Sequence, residues 1–426
     1  MQQLLKLPES WYEHSVQRGP AFPTLRGKIK SHVCVIGGGL AGLTTALELA
    51  RAGIDVVLLE AARIASGASG RNGGFVSNGF ALGVDGIAAI AGEDSAKALY
   101  ALSREGTEFV RSQIANHAPD VKMGDGWRIC VRHQDRGGLA RYGAALARDF
   151  GEVAEHAETV ETRHYLNSPQ YFDSLYFPKA FHIHPLRYAL LLARLAVAAG
   201  AVVHEHAPVC AVEKLGSRFR VSTDEGEVDV AHVVNCVSAF SKKLHRPTGR
   251  AVLPVATYIA VTEPVQQQAI NTTSAVADTR RAGDYYRLID GDRILWGGRI
   301  TTRVSEPRKL AEEMQRDMRK VFPQLGNPNI DFAWSGLMGY ALHKMPLIGR
   351  DGQGQWFATA FGGHGLNTTA MAGGLIARAI AHGDDSYRQF APFAPRWAFG
   401  PLGRLGVQGS YWWMQAKDHR DEALRR

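Results

Sequence analysis

Between residues 32 and 60 the chain reads HVCVIGGGLAGLTTALELARAGIDVVLLE, and this stretch restricts the fold more than any other. The β-branched run HVCVI has the composition of a buried parallel strand and breaks directly into Gly37, Gly38 and Gly39. Leu43, Ala46, Leu47 and Ala50 then recur at i, i+3, i+4 and i+7, one face of a helix, and Gly53 stands where a helix ends. IDVVLLE is a second buried strand. Together they make one right-handed βαβ half-unit, with its strands side by side in a parallel sheet.

Gly37, Gly39 and Gly42 form a GxGxxG loop in the setting that gives it meaning, after a strand and opening a helix. The first glycine permits the tight turn, the second lets backbone amides approach a pyrophosphate, and the third lets helix and strand pack closely. The helix start at Leu40 and Ala41 favours negative charge. Glu60 closes the next strand, where a carboxylate can accept hydrogen bonds from an adenosine ribose and would repel a 2′-phosphate. NAD or FAD fits; NADP does not. The following segment Gly67-Ala68-Ser69-Gly70-Arg71-Asn72-Gly73-Gly74 is too glycine-rich to start a stable helix and reads as backbone that something bulky approaches.

With 426 residues, 45% hydrophobic and 21% charged, the chain suits a two-domain enzyme with a substantial core and excludes small-scaffold and low-complexity readings. A net charge of +8 defines no basic patch, so no nucleic-acid partner is expected. Cys34, Cys130, Cys210 and Cys236 are widely separated, with no CxxC pair, so neither a metal site nor a disulfide framework is expected. Reduced thiols, and a start without a signal-like apolar region, lead us to expect a soluble cytoplasmic protein without a transmembrane segment.

Further along, the pattern predicts a helix over 94–117, an amphipathic helix over 185–200, a hairpin turning at Asp224, Glu225 and Gly226, a strand-rich stretch over 250–340 containing a helix from about 306 to 321, and a closing strand, glycine-rich loop and helix.

Six segments, SWYEHSV, VCVIGGGLAGL, LLEAARIASGASGRNGG, GDYYRL with WGGR, MPLIGR with FGGHGLN, and GRLGVQGSYWWMQAKD, run almost end to end. Through them the chain resembles the D-amino-acid-oxidase-like superfamily of FAD-dependent amine and amino-acid oxidoreductases, most closely its γ-glutamylputrescine oxidoreductase branch. The resemblance implies an α/β fold: a doubly wound, Rossmann-like FAD-binding domain discontinuous over 1–80, 181–248 and 341–390, a sheet-based α+β substrate domain over 81–180 and 249–340, and an aromatic, basic tail over 391–426. It implies that Ala61 joins Glu60 at the adenosine end, that Gly67, Ala68 and Ser69 line the pyrophosphate and ribityl chain, and that Asn72, Gly73 and Gly74 pass the isoalloxazine ring; Arg71 is expected to anchor loop or flavin charge, with a surface position as the alternative. It also implies that Val209 meets adenine through its backbone. Gly363, His364, Gly365, Leu366, Asn367 and Thr368 would open a helix toward the flavin N1/O2 edge, where unpaired amides stabilise a reduced, anionic ring. No cysteine follows Cys236, and although His343 stands near a position used for covalent attachment in some members, the FAD is expected to be non-covalent.

Amino-acid-oxidising members carry a carboxylate-binding arginine shortly before the PxIG-like segment; here Met338 stands there. The departure favours an amine. Tyr285, Tyr286 and Arg287, with Trp296 and Arg299 on the next strand, are the expected aromatic walls and positive anchors, although paired-strand aromatics equally suit a core. His364 is expected to touch substrate, whereas His182 and His184, with no third ligand, are expected to serve packing and helix entry. The expected chemistry is hydride transfer from the amine carbon to flavin N5, giving an imine that hydrolyses to an aldehyde or keto product, with molecular oxygen or another acceptor regenerating the cofactor. Alternatives are a dehydrogenase that reduces a quinone or partner, an α-amino-acid oxidase, and more distantly an RNA-acting flavoprotein. The tail is expected to pack on its own domain, with peripheral membrane or partner contact as the alternative.

Overall fold

The computed structural model describes residue 7 and residues 9–266, 269–280 and 283–424, with backbone alone at 241–243. The run Val33–Ile36 is buried along its whole length and lies inside a six-stranded sheet ordered Leu347–Arg350, Trp356–Thr359, His232–Asn235, Val33–Ile36, Val56–Leu59, Val202–His204. Its neighbours are parallel except for the antiparallel pair at the Leu347–Arg350 edge. One face packs through Val33 and Val35 against the helices Leu40–Arg51, Pro185–Ala198 and Gly365–His382. The other packs through Cys34 and Ile36 against a four-stranded sheet containing the expected hairpin, Arg218–Thr223 with Gly226–Val230. A strand covered on both sides must be apolar at every position, which is why HVCVI shows no alternation.

The second lobe is a nine-stranded sheet that runs from Ile330–Tyr340 through Leu253–Thr262, Arg293–Thr301, Tyr285–Ile289, Ala275–Asp278, Lys122–Cys130 and Ser174–Ile183 to Phe75–Val76, with Glu155–Ala157 paired to Ser174–Ile183. One face shares the large core of the first lobe; the other closes on the helix Leu310–Val321, which starts later than its periodicity suggested. The helix expected over 94–117 is present as Glu93–His117, and the tail forms the helix Gly400–Leu424. Among the described residues no helix is long and apolar enough to cross a membrane.

Candidate active site between the two sheets

The turn after Val33–Ile36 requires glycine for separate steric reasons. Gly37 has φ +109°, and a Cβ there would stand 2.9 Å from the Cys236 carbonyl oxygen. A Cβ on Gly42 would stand only 2.0 Å from the Gly37 carbonyl oxygen, so the helix closes on the turn only without a side chain. Gly39, the N-cap of Leu40–Arg51, supplies no side-chain cap; Ser69 from the second glycine segment does, its Oγ accepting from Leu40 N at 3.0 Å. Ala41 lies in the same first turn and accepts from Thr45 Oγ1 at 2.7 Å. Glu60 accepts from Gly38 N at 2.6 Å through one oxygen and from Ala62 N at 2.9 Å through the other, with half-buried Ala61 between. Burial raises the Glu60 pKa, and these amides oppose the rise by holding the charged form.

The second segment is held from behind. Asn72 donates to the carbonyls of Ala68 at 3.1 Å and Ser69 at 2.9 Å, and its side-chain oxygen accepts from Gly74 N at 2.9 Å. Arg71 Nε donates to the Ser66 carbonyl at 2.7 Å. Tyr12 OH donates to the Asn72 carbonyl at 2.8 Å and Trp334 Nε1 to the Arg71 carbonyl at 3.0 Å, so the loop's outer carbonyls are satisfied by aromatic residues distant in sequence. Open space surrounds the position where a Gly67 Cβ would be. At the other end, a Gly73 Cβ would press on the Tyr285 ring at 2.7 Å.

The third loop enters from the opposite side. Tyr340 OH accepts from Gly363 N at 2.7 Å, and Met338 Sδ lies 4.0 Å from where a Gly363 Cβ would stand. His364 is the N-cap of Gly365–His382, but its ring turns away from the helix amides: Nε2 lies 3.0 Å from the Asn78 carbonyl and 3.3 Å from Ser77 Oγ, and burial lowers its pKa. Asn367 donates to the Gly79 carbonyl at 3.1 Å, and Thr368 Oγ1 donates to the His364 carbonyl. Leu366 is buried. The side chains of this turn therefore serve the fold.

The structure corrects three of the four residues expected to be catalytic. Tyr286 stacks on Trp296 at 4.7 Å, against Phe322, inside the core on the far face of the nine-stranded sheet; alternation puts Tyr285, not Tyr286, toward the crevice. Arg287 shares the Tyr285 face but is wholly buried under the second loop, where Nη2 donates to Tyr12 OH at 3.1 Å and Nη1 to His182 Nδ1 at 2.7 Å. It braces the loop and cannot meet a substrate. Arg299 is ion-paired to Glu313 at 2.6 Å and to Asp317 beneath the Gly400–Leu424 helix, in a different cavity. Of the four, only His364 lies on one of the glycine loops, with its ring already engaged.

His182 Nε2 meets the Thr273 carbonyl at 2.8 Å, and His184 accepts from Arg187 N at 3.2 Å as the N-cap of Pro185–Ala198, so both histidines serve packing and helix entry. His343 accepts from Met345 N at 3.1 Å within a turn. Val209 opens the strand Val209–Leu215 opposite Thr223. Sequence reasoning does not find Tyr12, Trp334 or Tyr340: Tyr12 carries a signal only as an aromatic within SWYEHSV, and Trp334 and Tyr340 only as aromatics shortly before MPLIGR.

Two helix starts without caps from their own N-cap residues, a carboxylate at the end of the second strand, and bare backbone at Gly67 together fit an elongated dinucleotide with an anionic centre and a planar end, which is the shape and charge of FAD. A family model described as FAD dependent oxidoreductase (DAO) matches residues 32–379. The chain is 31% identical over 409 residues to a γ-glutamylputrescine oxidoreductase of Escherichia coli, covering 93% of each chain, and 33% identical over 386 residues to a probable oxidoreductase OrdL of Haemophilus influenzae, covering 88% of each. Its fold matches that of an L-proline dehydrogenase from P. horikoshii with a TM-score of 0.72 at 20% identity, over 88% of this chain and all of that one. With the family match spanning most of its length, the chain belongs to the DAO family of FAD-dependent oxidoreductases.

Proposed function

We propose that this oxidoreductase acts on the C–N bond of an amine that lacks an α-carboxylate anchor, with non-covalently held FAD. The substrate gives up two electrons and two protons to become an imine, which water hydrolyses to an aldehyde or keto compound and a released amine. When bound, FAD supplies the two-electron acceptor, taking hydride at N5. Bound FAD would lie along residues 37–42, with Glu60 at its adenosine end and the loops at 72–74 and 363–366 at its planar end. The chain's own contribution is placement: Tyr285 and Tyr340 form aromatic walls, the first turn of Gly365–His382 offers amides, and the braced loops keep water out.

The observation that carries the choice of an amine is Met338 beside Gly363, where a thioether occupies the position expected for a guanidinium, while Arg287 is sealed behind the loop. The E. coli relative, named for a γ-glutamyl polyamine, supports the same class. Free cysteines, three of them buried, support a reducing, cytoplasmic setting. The test is anaerobic bleaching of the flavin absorption band with amines, γ-glutamyl amines and D- and L-amino acids. Bleaching by amines first supports the reading; bleaching by α-amino acids alone sinks it. Peroxide release in air then separates oxygen from other acceptors.

A further inference from the structure

The helix Gly400–Leu424 buries polar side chains and exposes large apolar ones, the reverse of the usual arrangement. Its polar side faces the protein. Gln408 accepts from Thr301 Oγ1 at 2.8 Å and Thr302 N at 2.9 Å, and Arg404 donates to the Thr302 carbonyl at 2.7 Å. Asp418 and Glu422 are buried, and Glu422 ion-pairs with Arg132 at 3.9 Å and Arg280 at 3.8 Å. Its apolar side faces solvent: Leu402, Leu405, Trp412, Trp413 and Leu424 are each 65–74% exposed. Trp397 and Phe399, just before the helix, are more than half exposed, and their tilted rings meet at 4.8 Å. Single exposed apolar residues are ordinary on a protein surface, but a stripe of large ones along one helix marks a surface made to be covered.

Charge identifies the cover. Every acidic residue of the helix is drawn inward or to its flank, and among the described residues none of its exposed positions is acidic. The exposed polar positions are His419 and Arg420; Lys417 lies over the Trp413 ring at 5.7 Å, and exposed Arg396 precedes Trp397. A second copy pairing face to face would set cations against cations with no anion between them. Tryptophan and leucine rimmed by arginine and lysine suit instead a boundary that is apolar within and anionic at its edge, where indole rings sit at headgroup level and long cationic stems reach the phosphates. We propose that this helix docks the protein on an anionic lipid bilayer, lying in the plane of its surface.

The experiment uses the holoenzyme and vesicles containing phosphatidylcholine and phosphatidylglycerol in equal amounts, with pure phosphatidylcholine vesicles as control. The wild-type protein is expected to sediment with the anionic vesicles, with a blue-shifted tryptophan emission, and to be released as salt rises. The double variants Trp412→Ser/Trp413→Ser and Leu402→Gln/Leu405→Gln are each expected to bind about tenfold or more weakly, with FAD content and substrate bleaching unchanged because these side chains point outward. No wild-type binding to anionic vesicles, or binding that both variants retain, overturns the proposal. A wild-type dimer in sedimentation that either variant dissociates, without vesicle binding, overturns it in favour of self-association.

Discussion

Arg287 and His182 meet inside the protein at 2.7 Å, the guanidinium donating to Nδ1 of a ring whose Nε2 is engaged with the Thr273 carbonyl. That contact requires a neutral imidazole, and burial, reinforced by the charge of Arg287, holds the His182 pKa down to about 3. His184, two residues on and held down to about 3 by burial and by Arg187 and Arg287, caps the next helix.

Stability should therefore depend on pH with a definite sign. Between about 6.5, the ordinary histidine value, and 3, the unfolded chain takes up protons that the folded chain refuses, so stability is complete above that window and is lost as pH falls through it. The melting temperature is expected to decline below about pH 6.5, and His182→Gln to remove part of the slope. An unchanged slope in the variant would show that the ring does not carry the effect.

Arg287→Met leaves Tyr12 and His182 facing an apolar chain and withdraws the brace from the loop at residues 72–74. We expect a loss of about 2–4 kcal/mol in urea unfolding and a lower FAD content, whereas Tyr286→Phe, on the far face of the sheet with its ring stacked on Trp296, should retain FAD fully. Equal FAD loss in both variants would contradict the assignment of the two residues to opposite faces.

At Gly42 the obstacle to a side chain is backbone, the Gly37 carbonyl at 2.0 Å, so it cannot swing aside. Gly42→Ala should purify without bound FAD and cost about 1–3 kcal/mol in stability. Absorbance of the purified variant and its unfolding midpoint check both.

If Met338 marks the missing carboxylate anchor, Met338→Arg should install one beside Gly363. The expected outcome is an about tenfold or greater fall in KM for α-amino acids relative to amines, read by flavin reduction across both series. No change in that ratio would remove Met338 from the substrate side.

A substrate amine must be uncharged at the moment of C–N oxidation, and His364, on the third glycine loop, already has its Nε2 against the Asn78 carbonyl. The rate of anaerobic reduction should accordingly rise with pH through the pKa of the bound amine. A flat profile from acid to alkaline pH would count against direct amine oxidation.

The glycine loops were legible in the sequence because their function is the lack of side chains, and a missing side chain shows in one letter. The orientation of GDYYRL was not legible. Both faces of the nine-stranded sheet are buried, so Tyr285 and Tyr286 lie in equally apolar surroundings, and only the register with Gly297 and Trp296 tells which faces the crevice. Arg287 is identified as a brace by Tyr12, 275 residues away in sequence. Arg299 reads in sequence as a positive anchor because its partners, Glu313 and Asp317, come from the following helix. The tail's helical period gives the spacing of its apolar stripe but not the direction it faces, since that depends on the buried partners Arg132 and Arg280.

The helix that starts at Leu40 and the helix that starts at Gly365 touch where Gly373 meets Thr44, and a Cβ on Gly373 would come within 2.7 Å of that side chain. The two starts are thereby kept a set distance apart, and the crevice between them behaves as a gauge of length. A molecule that reaches from one start to the other is gripped at both ends. The span from phosphate to planar ring would then be set by a helix contact that no part of the cofactor touches.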